Sequence, residues 1–270
     1  MHPILLQIGP ITISTYTALI ALGAAVGLAA LYWRAPAGKN TRWLDAGLAA
    51  MVGALIGARL VYIAANADYY LPHLEEVLQL WQGGLAWPGA PLGALTGAWI
   101  YSRRTREPLG PILDTLTVPI VLLSVLGWGG CLAAGCAYGY EVAPGQLPAW
   151  LTSFAPDLFG LVAPRFATQA LGIALSLVAL AVVTLQQRGR KWAPGAQGMY
   201  ALSLVALIMF ALSFTRGDPA PLVRGYRLDT VGAAIVLLAA TGLWLLRLRG
   251  PATAAAPGAP AAPLDPMTQS

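Results

Sequence analysis

The stretch Ile11 to Trp33, ITISTYTALIALGAAVGLAALYW, runs for 23 residues without a charged side chain. About 20 apolar residues carry a helix across the hydrocarbon core of a bilayer, so this run reads as a membrane span. It is not isolated. Of the 270 residues, 57% are apolar and 10% charged, against roughly a quarter charged in a soluble domain. So few charges cannot cover a surface in water. No Lys or Arg precedes the first run, which is also too long for the apolar core of a signal peptide, so it is expected to stay as a helix.

Working outward, seven runs can be drawn, roughly Ile11–Trp33, Ala46–Ala65, Leu85–Tyr101, Leu116–Ala133, Ala167–Leu185, Ala196–Phe214 and Thr230–Leu246. A backbone in lipid must satisfy its own hydrogen bonds, and barrel-type alternation is absent. The expected fold is therefore all-α: an integral membrane protein with a seven-transmembrane helix bundle over residues 1–249. Residues 250–270 are Ala/Pro-rich with a single charge and are expected to be a disordered cytoplasmic tail.

Charge sets the orientation. Arg34, Lys39 and Arg42 lie in the first loop, and the second has no Lys or Arg. Arg103, Arg104 and Arg106 are in the third, Arg165 alone in the fourth, and Arg188, Arg190 and Lys191 in the fifth. Arg247 and Arg249 lead into the tail. The positive-inside rule then puts the N-terminus outside and the C-terminus in the cytoplasm. The net charge of +5 reads as topology, with no nucleic acid as a partner. Two features break the pattern. The sixth loop, expected outside, holds Arg216, Arg224 and Arg227, and Arg59 lies within a span. An intramembrane arginine is costly and usually faces a polar cavity or a partner. Arg59 and Arg216 are candidates for a site, since guanidinium matches phosphate oxygens with paired donors. The plain alternative pairs Arg216 with Asp218 and Arg227 with Asp229.

Glycines spaced four apart at Gly23/Gly27, Gly53/Gly57, Gly89/Gly93 and Gly93/Gly97 read as close helix packing. Three other segments are unusual: WQGGLAWPGAPLG (Trp81 to Gly93), GWGGCLAAGCAYG (Gly127 to Gly139) and FTRGD (Phe214 to Asp218). The first implies irregular backbone at the membrane edge, which survives only where protein or water covers it. In the second, glycines interrupt the helix and could free N–H groups for an anion. The second also holds the chain's two cysteines, Cys131 and Cys136. On an unbroken helix residues five apart lie about 8 Å apart, too far for a disulfide; a break at Gly135 would bring them closer. Apolar filler, a redox pair and a metal-binding pair all stay open, and no further metal ligands stand out.

In these segments the chain resembles the prolipoprotein diacylglyceryl transferase family, in order from about residue 3 to residue 247. Ile8-Gly9-Pro10 and Tyr16 match the family's opening. Gly57, Arg59 and Tyr62 match its G-x-R-x-x-Y, and Trp81, Gly83, Gly84, Leu85 and Gly89 match its W-x-G-G-[ML]-x-x-H-G-G. Asp114 and Pro119 follow. Gly127, Gly130, Gly135, Tyr138 and Gly139 keep five places of its G-R-x-G-N-x-x-N-G-E-x-[YW]-G. Pro164, Arg165, Thr168 and Gln169 resemble a later P-R-H-P-[ST]-Q, and Arg216 matches the arginine after the sixth span. The departures are Pro88 at the family's catalytic histidine, Trp128 at its signature arginine, Cys131 and Ala134 at its asparagines, and Cys136 and Gly172 at its glutamates.

The resemblance implies a multi-pass enzyme of the bacterial cytoplasmic (inner) membrane with no cofactor. Its reaction moves diacylglyceryl from phosphatidylglycerol, or another anionic phospholipid, to the lipobox cysteine in a prolipoprotein signal peptide. Tyr16 and Arg59 are the implied catalytic residues, and Arg216, Gly130, Gly135 and Gln169 the phosphate or lipid-binding ones. Beside a transferase with an altered site, two readings stay open: a non-catalytic lipid-binding or accessory protein on the same scaffold, and a thiol-dependent membrane protein using Cys131/Cys136.

Overall fold

The computed structural model describes residues 4–8, 11–35, 38–80, 83–157, 159–189 and 192–249, so the expected tail at 250–270 lies outside the described residues. Most of the described chain is helical: α1 (Thr15–Arg34), α2 (Asn40–Ala65), the short α3 (Ala67–Tyr70), α4 (Gly89–Thr105), α5 (Leu109–Thr115), α6 (Thr117–Ala134), α7 (Thr168–Gly189), α8 (Ala196–Ser213) and α9 (Leu228–Arg249). Six helical stretches among the described residues are long and apolar enough to cross a membrane: α1, α2, α5 continued by α6, α7, α8 and nearly all of α9. The run expected as a third span is α4, which has 17 residues and falls short of that group.

Three antiparallel hairpins interrupt the helices: β1 (Ile4–Ile8) with β2 (Ile11–Ser14), β3 (Thr152–Pro156) with β4 (Val162–Phe166), and β5 (Leu222–Val223) with β6 (Tyr226–Arg227). The first revises a boundary. Ile11–Ser14 was expected to begin the first span, but it is a strand, as its β-branched Ile-Thr-Ile allows. Ser14 then caps α1, its hydroxyl accepting from the Thr17 amide at 3.0 Å. A second revision concerns Leu85, where the third span was expected to start. Gly83 and Gly84 sit at φ +85° and +77°, in the left-handed region that favours glycine, and helix begins only after Pro88. Proline suits a helix start because it has no N–H to leave unpaired.

Packing follows the small residues. Gly53 and Gly57 on α2 meet Gly89, Gly93 and Gly97 on α4 so closely that a methyl on Gly53 would overlap the Gly93 carbonyl oxygen. Near backbone contact replaces side-chain interdigitation there. On α1, Gly23 lies against Leu123 and Leu126, and Gly27 against Pro119 of α6. α8 is the buried central helix, with Ala201, Val205, Ala206 and Leu212 in its core. Its first turn is held by Asp114 of α5, whose carboxylate accepts from the amides of Gly195, Gln197 and Gly198 at 2.8, 3.0 and 3.2 Å. That satisfies N–H groups that have no partner within a helix.

The chain reverses between successive long helices, so two ends can be named. One carries the start of α1, α4, α7 and α9 and the ends of α2, α6 and α8. It holds all three unusual segments and is called the site end here. The opposite, basic end carries Arg34, Arg42, Arg103, Arg104, Arg106, Arg188 and Arg247, all exposed.

Candidate functional site: a cavity closed by an ion-pair network

A half-open cavity of about 450 Å³ runs into the bundle from the site end. Its wall along α6 extends from Leu116 to Cys131, about 22 Å at the helical rise of 1.5 Å per residue. The deep part is apolar, with Leu116, Ile120, Met199 and Leu202, and Tyr16, Arg216 and Asp229 gather at the mouth.

Arg216 follows α8 and engages a carboxylate through each of its three nitrogens. Its Nε and Nη2 reach Asp218 at 2.8 and 2.6 Å, and Nη1 reaches Asp229 on the first turn of α9 at 2.9 Å. Burial opposes its charge, but the two carboxylates outweigh that and raise its pKa above the ordinary arginine value. Arg216 stays a cation. Arg227 does not pair with Asp229, as the plain reading had it. It reaches Asp218 instead, through the carbonyl at 2.6 Å and the carboxylate at 3.2 Å. Two arginines and two aspartates therefore form a network with no net charge, of which Arg216 and Asp229 line the cavity.

Tyr16, at 39% exposure, lines the mouth, and its ring lies so near Gly130 that a Cβ there would come within 2.8 Å. Gly130 therefore makes room for Tyr16. Gly135 has φ +78° and ends α6. The break brings Cys131 and Cys136 to a Cα separation of 4.5 Å, and they form a disulfide on the cavity wall. Buried Gln169 donates to both cysteine carbonyls. It fastens the turn from behind.

Arg59, expected beside Arg216, is buried but does not line the cavity. Its guanidinium donates to the carbonyls of Val77, Glu76, Gly83 and Gly84 at 2.9, 2.6, 2.8 and 3.1 Å and lies over the Tyr70 ring. Tyr62 packs on Gly84, Gly57 on the Gly89 carbonyl, and the Ala86 amide donates to the Ala58 carbonyl. Gly57, Arg59 and Tyr62 thus fix residues 83–89, which bring Leu85 and Trp87 to the cavity wall. Arg59 acts at one remove, as a positioning residue.

Two bulky residues stand against glycines on facing helices. Pro88 packs on Gly232 of α9, and Trp128 fills the space left by Gly172 of α7. Trp128 is buried, and its Nε1 has no hydrogen-bond partner among the described residues. Both pairings join distant positions, and nothing in the sequence announced them. Asp229 is a carboxylate of the cavity wall that the sequence reading paired with Arg227 and that binds Arg216 instead. His73 stacks on Tyr69 and binds its carbonyl, away from the cavity.

Several membrane-length helices define a polytopic membrane protein, and its largely apolar cavity has a half-buried arginine among its lining residues. Residues 3–246 match the family model described as prolipoprotein diacylglyceryl transferase, and the chain belongs to that family. Similar proteins include the phosphatidylglycerol–prolipoprotein diacylglyceryl transferases of Dehalococcoides mccartyi strain BAV1 (28% identical, 92% of this chain and 95% of the relative) and of Paenarthrobacter aurescens (28%, 92% and 82%). That of Nocardia farcinica is 30% identical over 90% of this chain and 53% of its own length.

Proposed function

We propose that this protein transfers the diacylglyceryl group of phosphatidylglycerol, or of a related anionic phospholipid, to the lipobox cysteine thiol of a prolipoprotein. The observation that carries the reading is the cavity: an apolar shaft of acyl-chain dimensions ending at Arg216. The acyl chains occupy the shaft, and the phosphate meets the guanidinium, whose planar donors suit phosphate oxygens. As the carbon–oxygen bond breaks, charge gathers on that phosphate, and a fixed cation there stabilises the transition state. The family names of its relatives point the same way.

The protein works in the bacterial inner membrane with seven spans. α4 is the seventh: 17 residues make about 26 Å of helix, close to the hydrocarbon thickness, with its glycine face on α2. The N-terminus and the site end face outward, and the tail faces the cytoplasm. A cysteine added after Arg249 should stay unlabelled by an impermeant thiol reagent in intact cells; labelling there would overturn this orientation.

The reading is tested in a host depleted of its own transferase. Expression of this chain should restore lipid attachment to a reporter prolipoprotein, detected by mass. Stable insertion without lipid attachment would refute it.

A further inference from the structure

A thiol must lose its proton before it attacks carbon, because the thiolate is the nucleophile. Pro88 supplies no base and does not line the cavity, so the acceptor is sought among the described residues of the cavity wall. Besides the disulfide, the titratable side chains on the cavity wall are Tyr16, Arg216 and Asp229. A phenol holds its proton at neutral pH, and a guanidinium has none of its lone pairs to offer. Asp229 remains.

Its geometry suits a base that is covered until the lipid arrives. A carboxylate oxygen occupied by a guanidinium N–H has no room for a thiol proton until that contact opens. Three of the five Arg216 N–H groups are engaged, one on each nitrogen, so a phosphate that binds across two of the nitrogens competes with the carboxylates already there. Asp218 is held at both oxygens, takes a second contact from Arg227 and does not line the cavity. Asp229 is held through Oδ2 alone, its Oδ1 accepts no described hydrogen bond, and it does line the cavity. Asp229 is the partner that yields.

We propose that Asp229 is the proton acceptor for the incoming thiol, uncovered when the lipid phosphate displaces it from Arg216. The S–H proton passes to Asp229. The sulfur then forms its bond to the terminal glyceryl carbon as the bond from that carbon to the phosphate oxygen breaks. The leaving glycerol phosphate stays on Arg216, takes the proton back from Asp229 and departs, and the Arg216–Asp229 pair closes again. This deepens the transferase reading and rests on it.

The test is steady-state transfer by the purified full chain, with phosphatidylglycerol in mixed micelles and a fluorescent lipobox-cysteine peptide. Asp229→Asn should lower kcat about 100-fold or more. KM for the lipid should be unchanged or lower, because the Asp229 carboxylate no longer competes for Arg216. Asp229→Glu should recover much of the rate, and formate should partly rescue Asp229→Ala. A kcat for Asp229→Asn close to the parent's, or a raised KM at unchanged kcat, would overturn the assignment. So would a folded Asp229→Ala that formate leaves unmoved. An inactive parent would sink the transferase reading and this one together, whereas an active Asp229→Asn beside an active parent sinks this one alone.

Discussion

The two ends of the bundle treat the same residue type in opposite ways. At the basic end Arg34, Arg103, Arg104, Arg106, Arg188 and Arg247 are exposed. The tightest ion pair there, Arg42 to Glu107 at 2.7 Å, involves an arginine side chain 60% exposed. At the site end Arg59 and Arg165 are buried and Arg216 and Arg227 half-buried, each held by carbonyls or carboxylates; Arg224 alone is exposed. The first set faces outward, although Arg34 also donates to Gln187 and Arg247 to the Pro194 carbonyl. Protein groups solvate the charges of the second. Free positive charge in short loops is what orients a membrane protein, so the neutralised site-end arginines do not cancel the topological signal of the basic end. They are available for structure and chemistry instead.

Substitutions at four places, with two controls, press on this contrast, from the largest expected effect to the smallest. Arg216→Ala should cut transfer by about 10³-fold, the scale for losing a transition-state donor, while Arg103→Ala at the other end leaves the rate within about twofold. The same lipidation assay reads both. Arg59→Ala leaves the carbonyls of Glu76, Val77, Gly83 and Gly84 without their donor. Unmade buried hydrogen bonds are expensive, and about 3 kcal/mol of stability should go, visible as a lower unfolding temperature in detergent. Arg59→Lys should not restore it, because an ammonium is a compact point charge and cannot fork to carbonyls on both sides.

Replacing Cys131 and Cys136 together by Ala opens the small loop that their disulfide closes. Chain entropy sets that contribution at about 2 kcal/mol. The unfolding temperature should fall while transfer stays within about twofold, because Gln169 still ties both carbonyls. Glu107→Gln at the basic end should cost less than about 1 kcal/mol, as exposed pairs do. Arg42 and Lys39 hydrogen-bond Glu107 and hold its pKa below 4.5. A folded-state pKa below the unfolded one means the stabilisation is complete above about pH 4.5 and is lost as pH falls through the folded value. The gap in unfolding temperature between parent and Glu107→Gln should therefore be present at pH 7 and shrink as the pH falls below about 4.5.

Much of the scaffold was legible in the sequence because lipid imposes a simple rule on composition. The uncharged runs locate α1, α2 and α6 to α9 to within a few residues. They misplace the starts of α1, of α4 and of α2, which begins at Asn40 and not at Ala46. Hydropathy weighs Ile11 or Leu85 as apolar whether the backbone is strand, turn or helix. The alternating Ile11-Thr12-Ile13 and the Gly83-Gly84 pair were the local signals of the difference. Arg59 was legible as an anomaly but not as a loop clamp, since its partners are backbone carbonyls that no side chain advertises. Asp218 and Asp229 were visible as partners, yet which arginine takes which depends on how the β5–β6 hairpin folds back. The packing of Trp128 on Gly172 and of Pro88 on Gly232 depends on helices that only the assembled bundle brings together.

The most direct measurement follows both products in one reaction. Purified protein, labelled phosphatidylglycerol and a lipobox peptide should yield diacylglyceryl thioether peptide and glycerol phosphate in equal amounts, and Arg216→Ala should abolish both together. Phosphatidylglycerol that binds and is recovered intact, with the peptide thiol still free, would contradict a transferase built on this cavity.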